Sequence, residues 1–133
     1  MRLDLMNSTR IHRLGDLQLQ IMQVLWDRSE ATVADIHHAL ARERDLAYTT
    51  VATMLRKMEA RGLVGHRLDG RSFVYRARVQ AEAVTRGMSD HLLERLFEGS
   101  LADLVAHLLT SRDVSRAELS KIEKLIVERK KAL

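Results

Sequence analysis

The chain has 133 residues and a formal net charge of +4, with 46% hydrophobic and 4% aromatic residues and neither cysteine nor proline. This length and apolar content suit one domain or two small ones, and the lack of cysteine excludes disulfides and thiolate metal sites. With no secretory signal and no apolar run long enough to span a membrane, we expect a cytoplasmic protein.

The excess of positive charge is concentrated in one part of the chain. Residues 56–78 contain seven basic and two acidic residues, whereas residues 80–133 contain nine of each. A localised basic patch favours a polyanionic partner, and nucleic acid is the commonest one for a small protein. Chance clustering on a solvated face is the alternative.

The first part of the chain predicts two helices. Residues 1–13 show no periodicity and are interpreted as a flexible N-terminal tail, with a tail that adds phosphate contacts as the alternative. A first helix that ends at Trp26-Asp27 is predicted from the apolar positions Leu14, Leu17, Ile21, Val24 and Leu25, with Trp26 in the core. Thr32 and Asp35 form a capping box that opens a second helix. The inward positions of that helix are Val33, Ile36 and Leu40.

A third helix is predicted from Ala47 to Gly62, with Gly62 as a left-handed C-terminal cap. Its apolar stripe consists of Val51, Met54, Leu55 and Met58, at the i, i+3, i+4 and i+7 spacing. Its other face carries Thr49, Thr50, Thr53, Arg56, Lys57 and Arg61. Short hydroxyls followed by long cations can meet base edges and phosphates in a DNA major groove. An ordinary amphipathic surface helix is the alternative.

A two-stranded hairpin is predicted directly after this helix. The Asp69-Gly70 dipeptide indicates a tight turn between two strand-like segments, which places Arg71 near the hairpin tip. The alternation of Phe73, Tyr75 and Ala77 with Ser72, Val74 and Arg76 predicts one face packed on the preceding helix and one face open to solvent or ligand. Three helices followed by a basic hairpin are the plan of a winged helix-turn-helix domain, here residues 14–78.

Residues 79–133 predict three further amphipathic helices, two of which open with capping sequences at Ser100 and Ser115. A unit this short hides too little apolar surface to be stable alone, so we expect it to pair with a second copy as a dimerisation domain. The predicted interface consists of Leu92, Leu96, Leu104, Leu108, Leu119, Ile122 and Ile126. Folding back onto the winged helix is the alternative. The predicted fold is mainly α: a winged helix-turn-helix domain followed by a three-helix dimerisation domain.

Several short segments form a specific combination. They are Leu14-Gly15-Asp16, Ile21-Met22, Leu25-Trp26, Val33-Ala34-Asp35-Ile36, Ala47-Tyr48-Thr49-Thr50-Val51-Ala52-Thr53-Met54-Leu55 and Gly62-Leu63-Val64. Together they resemble the penicillinase-repressor (BlaI/MecI) family of bacterial transcriptional repressors, and the resemblance runs from about Leu14 to the end of the chain. It implies a homodimer that binds a palindromic operator in double-stranded DNA and blocks transcription, with no small-molecule cofactor. The implied DNA contacts are Tyr48, Thr49, Thr50, Thr53, Arg56 and Lys57, with Arg71 on the wing.

The resemblance also implies a switch. In relatives, a membrane-bound metalloprotease that senses a drug cuts the repressor within the penultimate helix and so weakens the dimer. The corresponding position in this chain is His107-Leu108, where relatives carry an Asn-Phe pair. Copper-responsive relatives sense metal through C-terminal cysteines, which this chain lacks.

Two other classes of function fit the residues less well. His37 and His38 are adjacent, so they point about 100° apart on a helix, and the sequence contains no Gly-rich phosphate loop, nucleophile elbow or His-Glu-x-x-His motif. We therefore expect neither catalytic residues nor a metal site. A winged-helix adaptor that binds protein without a specific DNA target is the other alternative, although an adaptor more often exposes apolar anchors than threonines and arginines.

Overall fold

The computed structural model describes residues 14–133, so the interpretation of residues 1–13 as a tail lies outside the described residues. The elements follow in the order α1 (Asp16–Arg28), β1 (Ala31–Thr32), α2 (Val33–Leu40), α3 (Tyr48–Ala60), β2 (Val64–Asp69), β3 (Ser72–Ala77), α4 (Ala81–Phe97), α5 (Leu101–Thr110) and α6 (Arg116–Ala132). The predicted class, mainly α with a winged helix, is confirmed. The described chain forms two compact units, the first ending at His91 and the second spanning Leu92–Leu133.

The core of the first unit is built from the predicted apolar stripes. Most of the fully buried side chains come from the helices of the predicted winged-helix domain and from the entry into β2, and one, Val84, lies in α4. The others are Ile21, Met22, Leu25, Ile36, Val51, Leu55, Met58, Leu63 and Val64. Because the helical stripes pack against one another, the opposite faces of α1, α2 and α3 remain in solvent.

Local caps confirm two predicted helix ends. The side-chain hydroxyl of Thr32 accepts a 3.1 Å hydrogen bond from the backbone N–H of Asp35, and the Asp35 carboxylate accepts one of 3.0 Å from the N–H of Thr32. At the end of α3, Gly62 has φ of +78° and the N–H of Leu63 donates to the carbonyl of Met58 at 3.0 Å. This is the left-handed helix end that glycine adopts at the lowest cost.

A third strand, β1, was not predicted. The antiparallel sheet has the order β1-β3-β2, with Ala31 opposite Tyr75 and Thr32 opposite Val74. Strand β1 is only two residues long, which is too short to show an alternating pattern. It makes β3 the central strand of the sheet.

The expectation that only one face of β3 is packed was wrong. Val74 and Tyr75 are adjacent and both buried, whereas Phe73 is exposed. Burial on both sides follows because β3 is the central strand and also contacts α1 and α2. The turn is also one residue further along than predicted: Asp69 pairs with Ser72, so Gly70 and Arg71 form the loop.

The first part of helix α4 belongs to the first unit. Val84 is fully buried in the core of that unit, and Met88 packs partly against it. Just before the helix, the carbonyl oxygen of Val79 accepts a 3.0 Å hydrogen bond from the indole Nε1 of Trp26. The compact units divide within α4, between His91 and Leu92. The domain boundary at residues 78 and 79 stays a prediction.

The second unit consists of the end of α4 together with α5 and α6. The hydroxyls of Ser100 and Ser115 accept hydrogen bonds of 3.1 Å from the backbone N–H of Asp103 and Glu118, as the capping sequences predicted. No side chain of residues 92–133, all of which the structure describes, is buried. The apolar side chains of these helices therefore retain contact with solvent.

Candidate nucleic-acid interface

Helix α3 is fixed to the first unit by one face. Val51, Leu55 and Met58 are fully buried, and the side-chain amide of Gln18 in α1 donates to the sulfur of Met54 at 3.4 Å. Burial of this face leaves the opposite face in solvent, with its side chains held on a rigid element. A rigid helix presents its polar groups to a partner at little entropic cost.

The solvent face of α3 carries the hydroxyls and cations that the sequence singled out. One open, shallow depression is lined by Thr49, Thr50, Thr53, Met54 and Lys57. The Nη2 atom of Arg56 donates to the hydroxyl of Thr53 at 3.2 Å, which holds the guanidinium against the same face. No acidic side chain is among the described residues that line the depression. The surface therefore offers hydrogen-bond donors and positive charge to an anion.

Arg61, which directly follows α3, is placed differently from the cations within that helix. It is half-buried, and its Nη1 donates to the side-chain oxygen of Gln18 at 3.3 Å. Gln18 thus joins α1 to Met54 of α3 and to Arg61, the residue that follows the end of that helix. This contact gives Arg61 a role in holding α3 against α1.

Tyr48 is the first residue of α3, and half of its surface is exposed. Its ring meets the ring of His37 edge to face, with the centroids 6.1 Å apart. The His37 Nε2 lies 2.6 Å from the carbonyl oxygen of Leu46, and a carbonyl can only accept, so Nε2 carries the proton in this contact. His37 thereby fixes the loop that leads into α3 and supports Tyr48.

The hairpin is tied to the rest of the unit at two points. Arg67 of β2 makes two hydrogen bonds to the Glu30 carboxylate, Nε to Oε2 at 3.1 Å and Nη2 to Oε1 at 3.0 Å. On the other side, Nδ1 of His66 lies 2.6 Å from Oε1 of Glu59 in α3. The His66 ring also packs on Phe73, with the centroids 4.5 Å apart. These contacts fix the hairpin relative to α3, while Arg71 remains exposed in its turn.

The pKa values of Glu30 and Tyr75 are shifted in this region. The hydrogen bond from Arg67 and the positive charge of its guanidinium lower the pKa of Glu30 below its ordinary value. Burial raises the pKa of the Tyr75 phenol. Glu30 therefore stays ionised to a lower pH than a free glutamate, and the Tyr75 hydroxyl stays neutral at physiological pH.

The ties of the hairpin were not predicted from the sequence. Glu30 and Arg67 are 37 positions apart, and Glu59 and His66 are seven apart across a helix end and a strand start. Neither spacing is a motif. The sequence shows only an acidic residue next to a short loop and a histidine early in a strand. Both features are too common to identify the partner of either residue.

The residues predicted for a dimer interface lie in the second unit, and most are exposed. Exposed side chains are Leu92, Leu96, Leu108, Leu119 and Ile126, while Leu104 and Ile122 are half-buried. His107 of the predicted cleavage site lies in α5 with its ring 5.7 Å from that of Phe97. The dimer and the cleavage site both stay predictions.

Two further observations bear on the class of site. Within residues 14–133, no group of three or more histidines and carboxylates is close enough together to hold a metal ion. No helix of this described range is long and apolar enough to cross a membrane.

Comparison with known proteins gives a consistent result. The sequence profile of the family described as penicillinase repressor matches residues 14–128. The chain is 35% identical over 121 residues to the transcriptional regulator BlaI of Mycobacterium tuberculosis, covering 86% of this chain and 88% of that one. It is 25% identical over 121 residues to the penicillinase repressor of Bacillus licheniformis, covering 91% and 94%.

One solved structure resembles the chain in fold. A mutant of MarR from E. coli in complex with operator DNA matches with a TM-score of 0.51 and 14% identity, covering 96% of this chain and 90% of that one. The DNA-binding domain of the repressor BlaI matches with a TM-score of 0.49 and 27% identity, covering 53% and 87%. The family profile spans nearly all of the described residues, and the curated relatives are regulators of transcription and not enzymes. The chain therefore belongs to the penicillinase repressor (BlaI/MecI) family of winged-helix transcriptional repressors.

Proposed function

We propose that the protein represses transcription by binding a palindromic operator in double-stranded DNA as a homodimer. The observation that carries this proposal is the solvent face of α3, where exposed threonine hydroxyls and Lys57 line one surface free of acidic side chains among the described residues. Such a face fits a major groove, where hydroxyls meet base edges and cations neutralise phosphates.

Each predicted contact residue has a part in this proposal. Tyr48, Thr49, Thr50 and Thr53 would meet base edges and nearby phosphates, while Arg56 and Lys57 would neutralise phosphate. Arg71 would reach the DNA backbone from the exposed turn of the wing, which the Glu30 and Glu59 contacts hold in place. Membership of a family of repressors supports this assignment.

The homodimer is supported by the second unit. Its described residues include large exposed apolar side chains such as Leu96, which is 70% exposed, and Ile126, which is 49% exposed. A second copy would cover them. A two-fold axis would place two α3 helices about one DNA turn apart, or a multiple of it. Two weak half-site contacts would then act as one bivalent contact.

We further propose that a membrane sensor metalloprotease ends repression by cutting the protein. A cut at His107-Leu108 would divide α5, a helix of 10 residues in which no side chain is buried. Such a helix opens at low cost, as a protease cleft requires. A chain ending at His107 mimics the cut product and should be monomeric in sedimentation velocity, whereas a truncated chain that stays dimeric would contradict this switch.

A protein-binding adaptor is favoured by one observation on the wing. Leu68 is 64% exposed and stands opposite Phe73, which is 42% exposed, so the hairpin presents an apolar pair to solvent. Exposed apolar pairs of this kind occur at protein interfaces. The neighbouring arginines and the threonines of α3 favour DNA instead.

Recovery of DNA by the purified protein tests the proposal. Fragmented genomic DNA from the source organism is incubated with the chain at moderate salt, and the retained fragments are sequenced. We expect a few promoters that share an inverted repeat. Uniform recovery would indicate a binder without sequence preference, and no recovery would favour the adaptor. A chain with Thr49, Thr50 and Thr53 replaced by Ala is the matched control and should lose the enrichment.

A further inference from the structure

We propose that the first unit contains a binding site for a small planar organic anion, a single aromatic ring that carries a carboxylate or a similar group. The site is a cavity of about 250 Å³ between the start of α2, the outer side of α3 and the wing. Sites for drug-sized ligands usually measure about 300–1,000 Å³, so this cavity suits a ligand of one ring.

Two arginines from different elements give the lining of the cavity its positive charge. Arg56 of α3 and Arg71 of the wing turn both line it. Among residues 14–133, neither guanidinium has a carboxylate partner, since the ion pairs there involve other cations. Two uncompensated guanidiniums at one cavity favour an anion, and a planar guanidinium matches a carboxylate through two parallel hydrogen bonds.

Neutral polar residues line the cavity as well. Among them are Tyr48 and Ser72, each of which carries a hydroxyl. Val33 and Ala34 line it as well, and in the first turn of an α-helix their backbone N–H groups have no partner within the helix. The capping box of Thr32 and Asp35 uses only the other two donors of that turn.

Two aromatic residues also line the cavity. They are Phe73 and Tyr75, and their rings meet edge to face with the centroids 6.5 Å apart. The Phe73 ring packs against that of His66, with the centroids 4.5 Å apart, and His66 contacts Glu59. A fixed ring beside two cations suits a ligand with both a π-face and a negative charge. A bare inorganic anion would leave these rings unused.

The site overlaps the DNA-contact residues, which gives it a regulatory consequence. Tyr48, Arg56 and Arg71 line the cavity and are also proposed to contact DNA. An anion bound there would occupy the same guanidiniums as the phosphates, so ligand and DNA would exclude each other. This exclusion rests on the proposed DNA binding, whereas ligand binding does not.

Titration of the full chain followed by amide NMR tests the site, with sodium benzoate as the probe at constant ionic strength. We expect saturable shifts at Val33, Ala52, Ser72 and Phe73. Benzamide, which has the same shape without the charge, should bind at least about tenfold more weakly. Shifts that never saturate, or equal binding of benzamide, would overturn the proposal.

Two variants and a second anion distinguish the contribution of the aromatic ring to binding from that of the positive charge. Phe73→Ala should weaken benzoate about two- to tenfold, and Arg56→Gln should weaken it by about tenfold, while Lys121→Gln in α6 serves as the charge-matched control. Inorganic phosphate should bind more weakly than benzoate, and its affinity should be unchanged by Phe73→Ala. If phosphate bound as well as benzoate and Phe73→Ala changed neither, the cavity would be a simple phosphate site and the proposal would be wrong.

Competition is measured separately, by anisotropy of a labelled DNA duplex. Benzoate should release DNA from the wild-type chain, and several-fold more benzoate should be needed with Phe73→Ala. Saturable benzoate binding without release of DNA would refute the exclusion. Failure of the chain to bind DNA in the absence of benzoate would refute the proposed function alone, because the NMR titration decides the site independently.

Discussion

Arg67 and Glu30 form a bidentate ion pair that joins the hairpin to the loop before β1, with N to O distances of 3.1 and 3.0 Å. Planar pairing of this kind fixes orientation as well as distance. Together with the His66–Glu59 contact of 2.6 Å on the other side of β2, it sets the position of the wing relative to α3. The wing is therefore presented to a partner in a defined orientation.

Glu30→Gln is expected to weaken DNA binding a few-fold through loss of wing orientation. The substitution raises the net charge by one, so simple electrostatics would strengthen binding. The matched control is Asp27→Asn, which makes the same charge change nearby. Duplex anisotropy compares the two variants. If Glu30→Gln and Asp27→Asn behaved alike, the ion pair would have no role in positioning the wing.

Lys57→Ala should weaken binding to all DNA sequences and reduce the slope of log K against log salt by about one. The reason is that each neutralised phosphate releases its condensed counterions. Lys121→Ala, which removes the same charge from α6, should leave the slope unchanged. Affinity is measured over a range of salt concentrations. An unchanged slope for Lys57→Ala would show that Lys57 does not contact phosphate.

Stability should fall on acidification because two carboxyls have lowered pKa values in the folded chain. Arg67 lowers the pKa of Glu30, and hydrogen bonds from Thr32 lower that of Asp35. A carboxyl of this kind stabilises the fold fully above its unfolded pKa and loses that contribution as pH falls through its folded pKa. With ordinary values of 4.5 and 3.8, the loss should begin near the first of these.

Urea unfolding between neutral and acidic pH measures this loss. The variants Glu30→Gln and Asp35→Asn should each lose less stability than the wild type as the pH falls below the ordinary pKa of a carboxyl. Both keep an oxygen that can accept a hydrogen bond but lose the charge, so the stability at neutral pH should fall towards that of the wild type with this carboxyl protonated, and less than in the Ala variants. An unaltered pH profile in both variants would show that other carboxyls control the acid response.

Gly62→Ala should destabilise the first unit by about 1–2 kcal/mol, because φ at this position is +78° and a Cβ disfavours that conformation. Gly62→Asn should cost less, since asparagine tolerates the left-handed region. Thermal unfolding followed by circular dichroism compares the three chains. Equal stability of the Ala and Asn variants would show that backbone conformation does not determine the preference for glycine.

The sequence was informative where the physics is local. The Thr32–Asp35 capping box, the Gly62 helix end and the apolar stripe of α3 each depend on residues within a few positions, and all three were predicted correctly. Each element then buries the face that its own pattern defines.

The sequence was uninformative where partners come together only in the fold. Strand β1 has two residues, and the burial of Val74 depends on this strand and on helices far away in the chain. Arg61 was predicted on the solvent face of α3, but Gln18, 43 positions away, accepts its hydrogen bond. The cavity between α2, α3 and the wing likewise combines residues from three elements. No spacing of residues in the sequence predicts such a combination.

Leu96→Glu should shift the protein from dimer towards monomer. Leu96 is 70% exposed, so the substitution should leave the fold of the single chain intact, whereas a glutamate buried at an apolar dimer interface would lose its hydration without a partner. The dissociation constant of the dimer should rise at least about tenfold. Sedimentation velocity over a range of protein concentrations measures it.

The matched control for this prediction is Leu68→Glu on the wing, where the side chain is 64% exposed and the charge change is the same. We expect this variant to sediment as the wild type does. Loss of the dimer should also lower operator affinity by about a hundredfold or more, because the second half-site would no longer be linked to the first. If Leu96→Glu remained dimeric while Leu68→Glu became monomeric, the interface between copies would lie on the wing, and the exposed leucines of the second unit would need another partner.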